Sequence, residues 1–174
     1  MRVLLSADEI DAGVSELARR IQTDYAGQAL TVLGVLTGSI VFLADLIRKL
    51  DLPLRVGVLQ ASSYRGAATA PGPLTLQTAM LPDIVDRDVL LVDDIFDTGR
   101  TLSAIAELMQ SHRPRSLRSA VLLWKQERTI VEYRPDYHCF RIPDEFVVGY
   151  GLDYDDQYRH LPHIAAYEQQ EYRL

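Results

Sequence analysis

Val89-Leu-Leu-Val-Asp93-Asp94-Ile95-Phe-Asp97-Thr98-Gly99-Arg100-Thr101 is the stretch on which the reading of this chain turns. Four apolar residues open a buried-strand pattern that ends in two adjacent carboxylates, a Thr/Gly turn follows, and a helical pattern runs from Leu102 to Gln110. In parallel α/β sheets ligands lie beyond the carboxyl ends of the strands, so Asp93 and Asp94 stand where a ligand would be met. Neighbouring strand residues face opposite ways, and the two carboxylates therefore divide the work. One can accept hydrogen bonds from sugar hydroxyls while the other meets a second hydroxyl, a backbone amide or a hydrated cation. Unpaired N–H groups at the following helix start attract an anion. Gly99 lets the backbone come close to it, and Thr98 and Thr101 add hydroxyl donors. A cis-diol and a phosphate, the two polar features of a ribose 5-phosphate, are thus addressed within nine residues.

The pattern continues on both sides. Ser6 followed by Glu9 predicts a capping box, and Ile10, Val14, Leu17, Ala18 and Ile21 form the apolar stripe of a first helix. Leu30 to Leu36 reads as a strand, Ser39 to Leu50 as an amphipathic helix, and Leu54 to Gln60 and Leu117 to Trp124 as further strands. This β-α-β-β-α-β order predicts an α/β fold with a mostly parallel central sheet flanked by helices and right-handed crossovers. From Pro135 onward prolines at 135, 143 and 162 break the pattern. There, Phe146 to Val148 and His163 to Ala166 suggest short strands in a small C-terminal hood formed mainly by residues 135–174. The length, 174 residues, suits one domain spanning 1–174.

Composition excludes several classes of function. Eighteen basic against twenty-four acidic side chains give a net charge of −6, which argues against a general binder of nucleic acid or anionic membranes. The single cysteine, Cys139, cannot form an intramolecular disulfide, and a reducing compartment fits. No segment approaches the roughly twenty apolar residues of a membrane span, so a cytoplasmic protein is expected. No G-x-x-x-x-G-K or G-x-G-x-x-G motif occurs, and the four histidines lack metal-ligand spacing.

Two further loops and the tail complete the picture. Leu36-Thr37-Gly38-Ser39 joins a strand to a helix that Ser39 could cap, giving a second set of amides suited to an anion. Ser62-Ser63-Tyr64-Arg65-Gly66 begins a stretch of small residues, Gly and Pro that ends at Pro73. The tail reads Phe146-Val-Val-Gly-Tyr-Gly-Leu-Asp153-Tyr-Asp-Asp-Gln-Tyr-Arg159-His-Leu-Pro. The stretch 89–101 resembles the phosphoribosyl-diphosphate (PRPP) motif of the type I phosphoribosyltransferases, and the tail resembles the C-terminal signature of their hypoxanthine-guanine branch. With Lys125 and the two loops, the resemblance covers nearly everything from Leu33 onward.

That resemblance implies a purine salvage enzyme of the glycosyltransferase class, which transfers 5-phosphoribosyl from PRPP to N9 of hypoxanthine or guanine with Mg2+ as cofactor. Asp93, Asp94, Asp97, Thr98, Gly99, Arg100 and Thr101 would bind the ribose and its 5′-phosphate, and Asp97 would be the catalytic general base or electrostatic partner at purine N7. Thr37, Gly38 and Arg159 would meet the pyrophosphate, and Ser63 and Tyr64 would belong to a lid that excludes water. Lys125, Phe146, Val147 and Ile95 would form the purine pocket. Phe146 can stack on the base, and the Lys125 ammonium can donate to a 6-oxo group but finds no acceptor on the 6-amino group of adenine. Asp153, with Asp93 and Asp94, would hold metal. The resemblance also implies a cis peptide at Leu36-Thr37 and a homodimer or homotetramer. Two positions depart from the family, Thr37 where Lys is common and Asp93 where Glu is usual. Asp-Asp before Thr-Gly-Arg-Thr also occurs in the pyrimidine-operon attenuator, so an RNA-binding regulator of PRPP fold is the alternative. Retention of Asp97 and the acidic net charge weigh against it. Hypoxanthine, guanine and xanthine remain unranked.

Overall fold

Residues 1–63 and 74–168 are described in the computed structural model, and they alternate strands and helices much as the hydrophobic pattern predicts, with strands added at three places. Strand β1 (Arg2–Leu5) precedes helix α1 (Ala7–Asp24), whose start is the expected capping box. Ser6 Oγ accepts from the Glu9 amide and the Glu9 carboxylate accepts from the Ser6 amide. The five residues of its predicted stripe are all buried. Then come β2 (Leu30–Leu36), α2 (Ile40–Lys49), β3 (Leu54–Ser63) and β4 (Leu74–Gln77). The central unit is β5 (Asp88–Phe96) followed by α3 (Arg100–Ser111), and β6 (Ser116–Trp124), a short 3-10 turn (Gln126–Arg128), β7 (Tyr137–Arg141), β8 (Val147–Val148) and β9 (Ile164–Ala166) complete the order.

Among the described residues six strands form the main sheet in the order β4-β3-β2-β5-β6-β7, parallel throughout except where β4 runs antiparallel to β3. Both faces are covered, which is why β5 is apolar on both sides. Leu90 and Val92 pack with Phe42, Leu43 and Leu46 of α2 and the stripe of α1, whereas Val89 and Leu91 pack with Leu102, Ile105 and Met109 of α3. The alternation that builds two cores also fixes which way the next two residues point.

The hood is a second sheet, order β1-β9-β8, all antiparallel. It differs from the sequence reading in two respects. One of its strands, β1, comes from the opposite end of the chain, and β7, within the region assigned to the hood, is instead an edge strand of the main sheet beside β6. Helix α3 begins two residues earlier than its apolar periodicity, at Arg100, because Gly99 already serves as its N-cap.

Candidate active site

Strands β2, β5 and β6 run parallel and end at one edge of the sheet, where their last residues and the loops beyond carry Thr37, Gly38, Asp93 to Thr101 and Lys125. Phe146, Val147, Asp153 and Arg159 come from the C-terminal segment that includes β8. Asp93 continues the face of Val89 and Leu91, and Asp94 the face of Leu90 and Val92. The Asp94 amide donates to Asp93 Oδ1 at 3.0 Å and the Ile95 amide to Asp94 Oδ1 at 2.7 Å, so each carboxylate is held by the backbone next to it. Burial, reinforced by the neighbouring Asp94 charge, holds the Asp93 carboxyl well above the usual carboxylate range. Burial raises Asp94 as well, while hydrogen bonds and the Arg159 charge pull it back. Both therefore gain from a partner that brings positive charge or donated hydrogen bonds.

Next to them lies a cavity of about 290 Å³, lined among others by Gly38, Asp93, Asp94, Asp97, Thr98, Gly99 and Thr101. Gly99 has φ +85°, a left-handed conformation, and a Cβ there would strike the rings and methyls of Phe96 and Val131 at 2.5 Å. Gly99 has no side chain to cap α3, and the Arg100 amide reaches only the Thr98 hydroxyl, at a long 3.5 Å, so the helix start beside that cavity is weakly capped. Arg100 is exposed and stands outside the residues that line the cavity.

The Leu36-Thr37 peptide is cis. Gly38 follows, and a Cβ on it would lie 1.7 Å from Asp94 Oδ2, so the carboxylate rests against its bare Cα. Ser39 does not cap α2 as expected. Its hydroxyl is buried and donates to the Val35 carbonyl at 2.5 Å, a partner one turn back that competes with the cap. Thr37 is exposed at the rim of a second cavity.

That second cavity, about 360 Å³, is lined by Thr37, Gly38, Asp94, Ile95, Asp97, Lys125, Phe146, Val147, Leu152, Asp153 and Arg159. It shares Gly38, Asp94, Ile95 and Asp97 with the first, so the two adjoin. Phe146 is half exposed and is held edge-on by Tyr154 and Tyr167. Asp153 and Arg159 pair at 2.9 Å, and Arg159 also donates to the Gly151 carbonyl at 2.7 Å. Lys125 is buried, with its ammonium 3.7 Å from Asp97 and 3.8 Å from Asp144. Arg128 donates to Asp97 at 2.8 Å. Arg128 and Asp144 were not found by sequence reading, although Lys125 and Arg128, three apart at a strand end, offered a signal. Of the lid pair, Ser63 ends β3, and Tyr64 lies outside the described residues. Among the described residues no three His, Cys, Asp or Glu side chains gather as a metal cage, and no helix is long and apolar enough to cross a membrane.

Comparison with known proteins adds to this geometry. The sequence model of the phosphoribosyl transferase domain matches residues 5–155. A hypoxanthine-guanine phosphoribosyltransferase of Streptococcus pneumoniae is 40% identical over 171 residues, covering 98% of this chain and 95% of its own. One from Lactococcus lactis is 42% identical over 171 residues, covering 98% and 93%. The crystal structure of a hypoxanthine phosphoribosyltransferase from Staphylococcus aureus superposes with a TM-score of 0.92 at 38% identity, covering 100% of this chain and 95% of that one.

Proposed function

This chain belongs to the phosphoribosyltransferase family, and from that premise we propose that it transfers the 5-phosphoribosyl group of PRPP to N9 of a 6-oxopurine, hypoxanthine or guanine, giving IMP or GMP and pyrophosphate. The observation that carries this reading is the pair of adjoining cavities, one lined by Asp93, Asp94, Thr98, Gly99 and Thr101 and the other by Lys125, Phe146 and Val147, joined through Gly38, Asp94, Ile95 and Asp97. The rival reading, an RNA-binding regulator, draws no support from relatives that are named as enzymes.

Asp93 and Asp94 accept hydrogen bonds from the ribose hydroxyls, and the amides and hydroxyls from Thr98 to Thr101 hold the 5′-phosphate. The donor set suits Mg2+, which is satisfied by one or two carboxylates plus substrate phosphates and water. Asp93 and Asp94 line the first cavity and Asp94 and Asp153 the second, so on each side one or two of these carboxylates would hold the ion together with substrate phosphate oxygens. When bound, it neutralises charge on the diphosphate leaving group. Arg159 and the amides near Thr37 and Gly38 stabilise the negative charge that gathers on the departing oxygen. Because Thr37 carries no charge, Arg159 and Lys125 are the cations lining this cavity. Phe146 stacks on the base, with Ile95 and Val147 beside it. Lys125 donates to the 6-oxo group. As the C1–O bond to pyrophosphate breaks and the C1–N9 bond forms, Asp97 takes the proton from purine N7. Ser63 and Tyr64 belong, on this reading, to a lid over the reacting centre. The proposal extends to a cytoplasmic homodimer or homotetramer.

The test supplies PRPP and Mg2+ with hypoxanthine, guanine, xanthine and adenine in turn and follows nucleotide and pyrophosphate. IMP or GMP with equimolar pyrophosphate is expected, and adenine should give none. Failure to turn over any 6-oxopurine contradicts the reading.

A further inference from the structure

Arg128 and Asp144 close a ring of charge around the two groups that face the purine. Arg128 Nε donates to Asp97 Oδ1 at 2.8 Å, and Nη1 donates to Asp144 Oδ2 at 3.4 Å. The Lys125 ammonium lies 3.7 Å from Asp97 Oδ2 and 3.8 Å from Asp144 Oδ1. One guanidinium thus engages one oxygen of each carboxylate, and the other oxygen of each is turned toward Lys125.

Stability does not explain the Arg128 side of the ring. Side-chain exposures of 44% for Arg128, 37% for Asp97 and 49% for Asp144 place these pairs in solvent, where such contacts contribute about 0–1 kcal/mol. What the ring does have is a fixed frame. The Lys125 amide donates to the Phe96 carbonyl at 2.9 Å, the Arg128 amide to the Lys125 carbonyl at 3.0 Å, and the Ile130 amide to the Thr98 carbonyl at 3.1 Å. Backbone on both sides of Arg128 is therefore tied to backbone on both sides of Asp97.

An aspartate free to rotate about its last torsion presents either oxygen. With Oδ1 engaged by Arg128, Oδ2 is the oxygen left beside the Lys125 ammonium. A 6-oxopurine protonated at N7 carries an acceptor, O6, next to a donor, N7–H, and the pair formed by Lys125 Nζ and Asp97 Oδ2 is complementary to it. The same tautomer leaves N9 with the lone pair that attacks ribose. We propose that Arg128, anchored at its second arm by Asp144, is a positioning residue that fixes Asp97 with Oδ2 toward the base and so selects the N7–H tautomer of the 6-oxopurine. This rests on the roles of Asp97 and Lys125 proposed above.

The test is steady-state kinetics with PRPP, Mg2+ and hypoxanthine on the full chain, accompanied by thermal unfolding, for Arg128→Gln, Arg128→Lys, Asp144→Asn, Asp97→Asn and the Arg128→Gln/Asp97→Asn double variant. Arg128→Gln should lower kcat/KM for hypoxanthine by about tenfold or more and leave KM for PRPP within about twofold, because the base and not the sugar phosphate meets Asp97. Asp144→Asn should act in the same direction by less, and Arg128→Lys should recover part of the loss. In the Asp97→Asn background, Arg128→Gln should add less than about twofold, since the group it positions is gone. Unchanged hypoxanthine kinetics in Arg128→Gln overturns the proposal, as does an undiminished effect in the Asp97→Asn background or an equal loss for both substrates. Should Arg128→Gln fail to fold, Asp144→Asn carries the same comparison. Full turnover by Asp97→Asn sinks the underlying role of Asp97 and this proposal together, whereas a slow Asp97→Asn with an unaffected Arg128→Gln sinks this proposal alone.

Discussion

Replacing Gly38 by Ala should damage the use of PRPP by moving a carboxylate it does not touch chemically. The added Cβ would sit 1.7 Å from Asp94 Oδ2 and 2.7 Å from Asp94 Cγ, against an ordinary contact of at least 3.4 Å. Relief requires a shift of roughly the missing 1.7 Å, and Asp94 cannot make it without loosening Oδ1 from the Ile95 amide, now at 2.7 Å. A misplacement near 1 Å at a substrate-positioning group costs about 100-fold in rate, or about 2.7 kcal/mol at the transition state. The accompanying overpacking should cost about 1–3 kcal/mol of stability. The assay varies PRPP at saturating hypoxanthine and follows pyrophosphate release, with unfolding monitored by circular dichroism. Gly27→Ala is the control, because an added Cβ there would meet open space, although the φ of +74° strains any residue with a side chain. It should lose stability and keep its kinetics. If Gly38→Ala retains PRPP kinetics within about threefold of the parent, Asp94 does not bind the sugar in the way argued.

Three further outcomes follow from the same geometry. Lys125→Gln should reduce kcat/KM for hypoxanthine by about 100-fold with KM for PRPP little changed, since the loss removes the donor to O6 and leaves Asp97 and Asp144 without their buried cation; equal losses for both substrates in the same assay would count against it. Phe146→Ala should raise KM for the purine about tenfold by removing one stacking surface, and unchanged purine KM would show that the ring does not contact the base. Asp93→Asn should raise the melting temperature at neutral pH by a few degrees. Burial lifts the Asp93 carboxyl well above its ordinary 3.8, so the folded state holds that proton to higher pH than the unfolded chain. The charge therefore opposes folding above the raised value, and the penalty disappears as pH falls toward 3.8. Melting curves from pH 4 to pH 8 should show the advantage of Asp93→Asn shrinking to nothing at the acid end, and an advantage that grows there refutes the direction.

What could be read from the residues was whatever a short window encodes. The apolar run 89–92, the stripe of α1 and the strand Leu30–Leu36 each carry their own periodicity, and the capping box at Ser6 is satisfied within four residues. The three added strands have no such local mark. Strand β1 is four residues long and half exposed, and it exists because β9, at the other end of the chain, supplies its partner. Strand β7 carries His138, Cys139 and Arg141 and is recruited by parallel pairing to β6. In the site, adjacent carboxylates and a Gly-bearing turn were legible because strand alternation and helix-start chemistry act between neighbours. Ser39 was misread because its hydroxyl has two acceptable partners, and only the depth of burial decides between them. Arg128 and Asp144 escaped notice because their relation to Asp97 spans 31 residues in one case and needs a common third partner in the other.

The central claim is that Asp93 and Asp94 grip the ribose while the loop 98–101 grips its 5′-phosphate. A crystal structure of the chain bound to IMP tests it most directly. The account predicts the phosphate against the amides and hydroxyls of Thr98 to Thr101 and the ribose hydroxyls on Asp93 and Asp94, with the base between Phe146 and Ile95 and O6 at Lys125. A nucleotide whose phosphate binds elsewhere, with both carboxylates facing only protein, would contradict it.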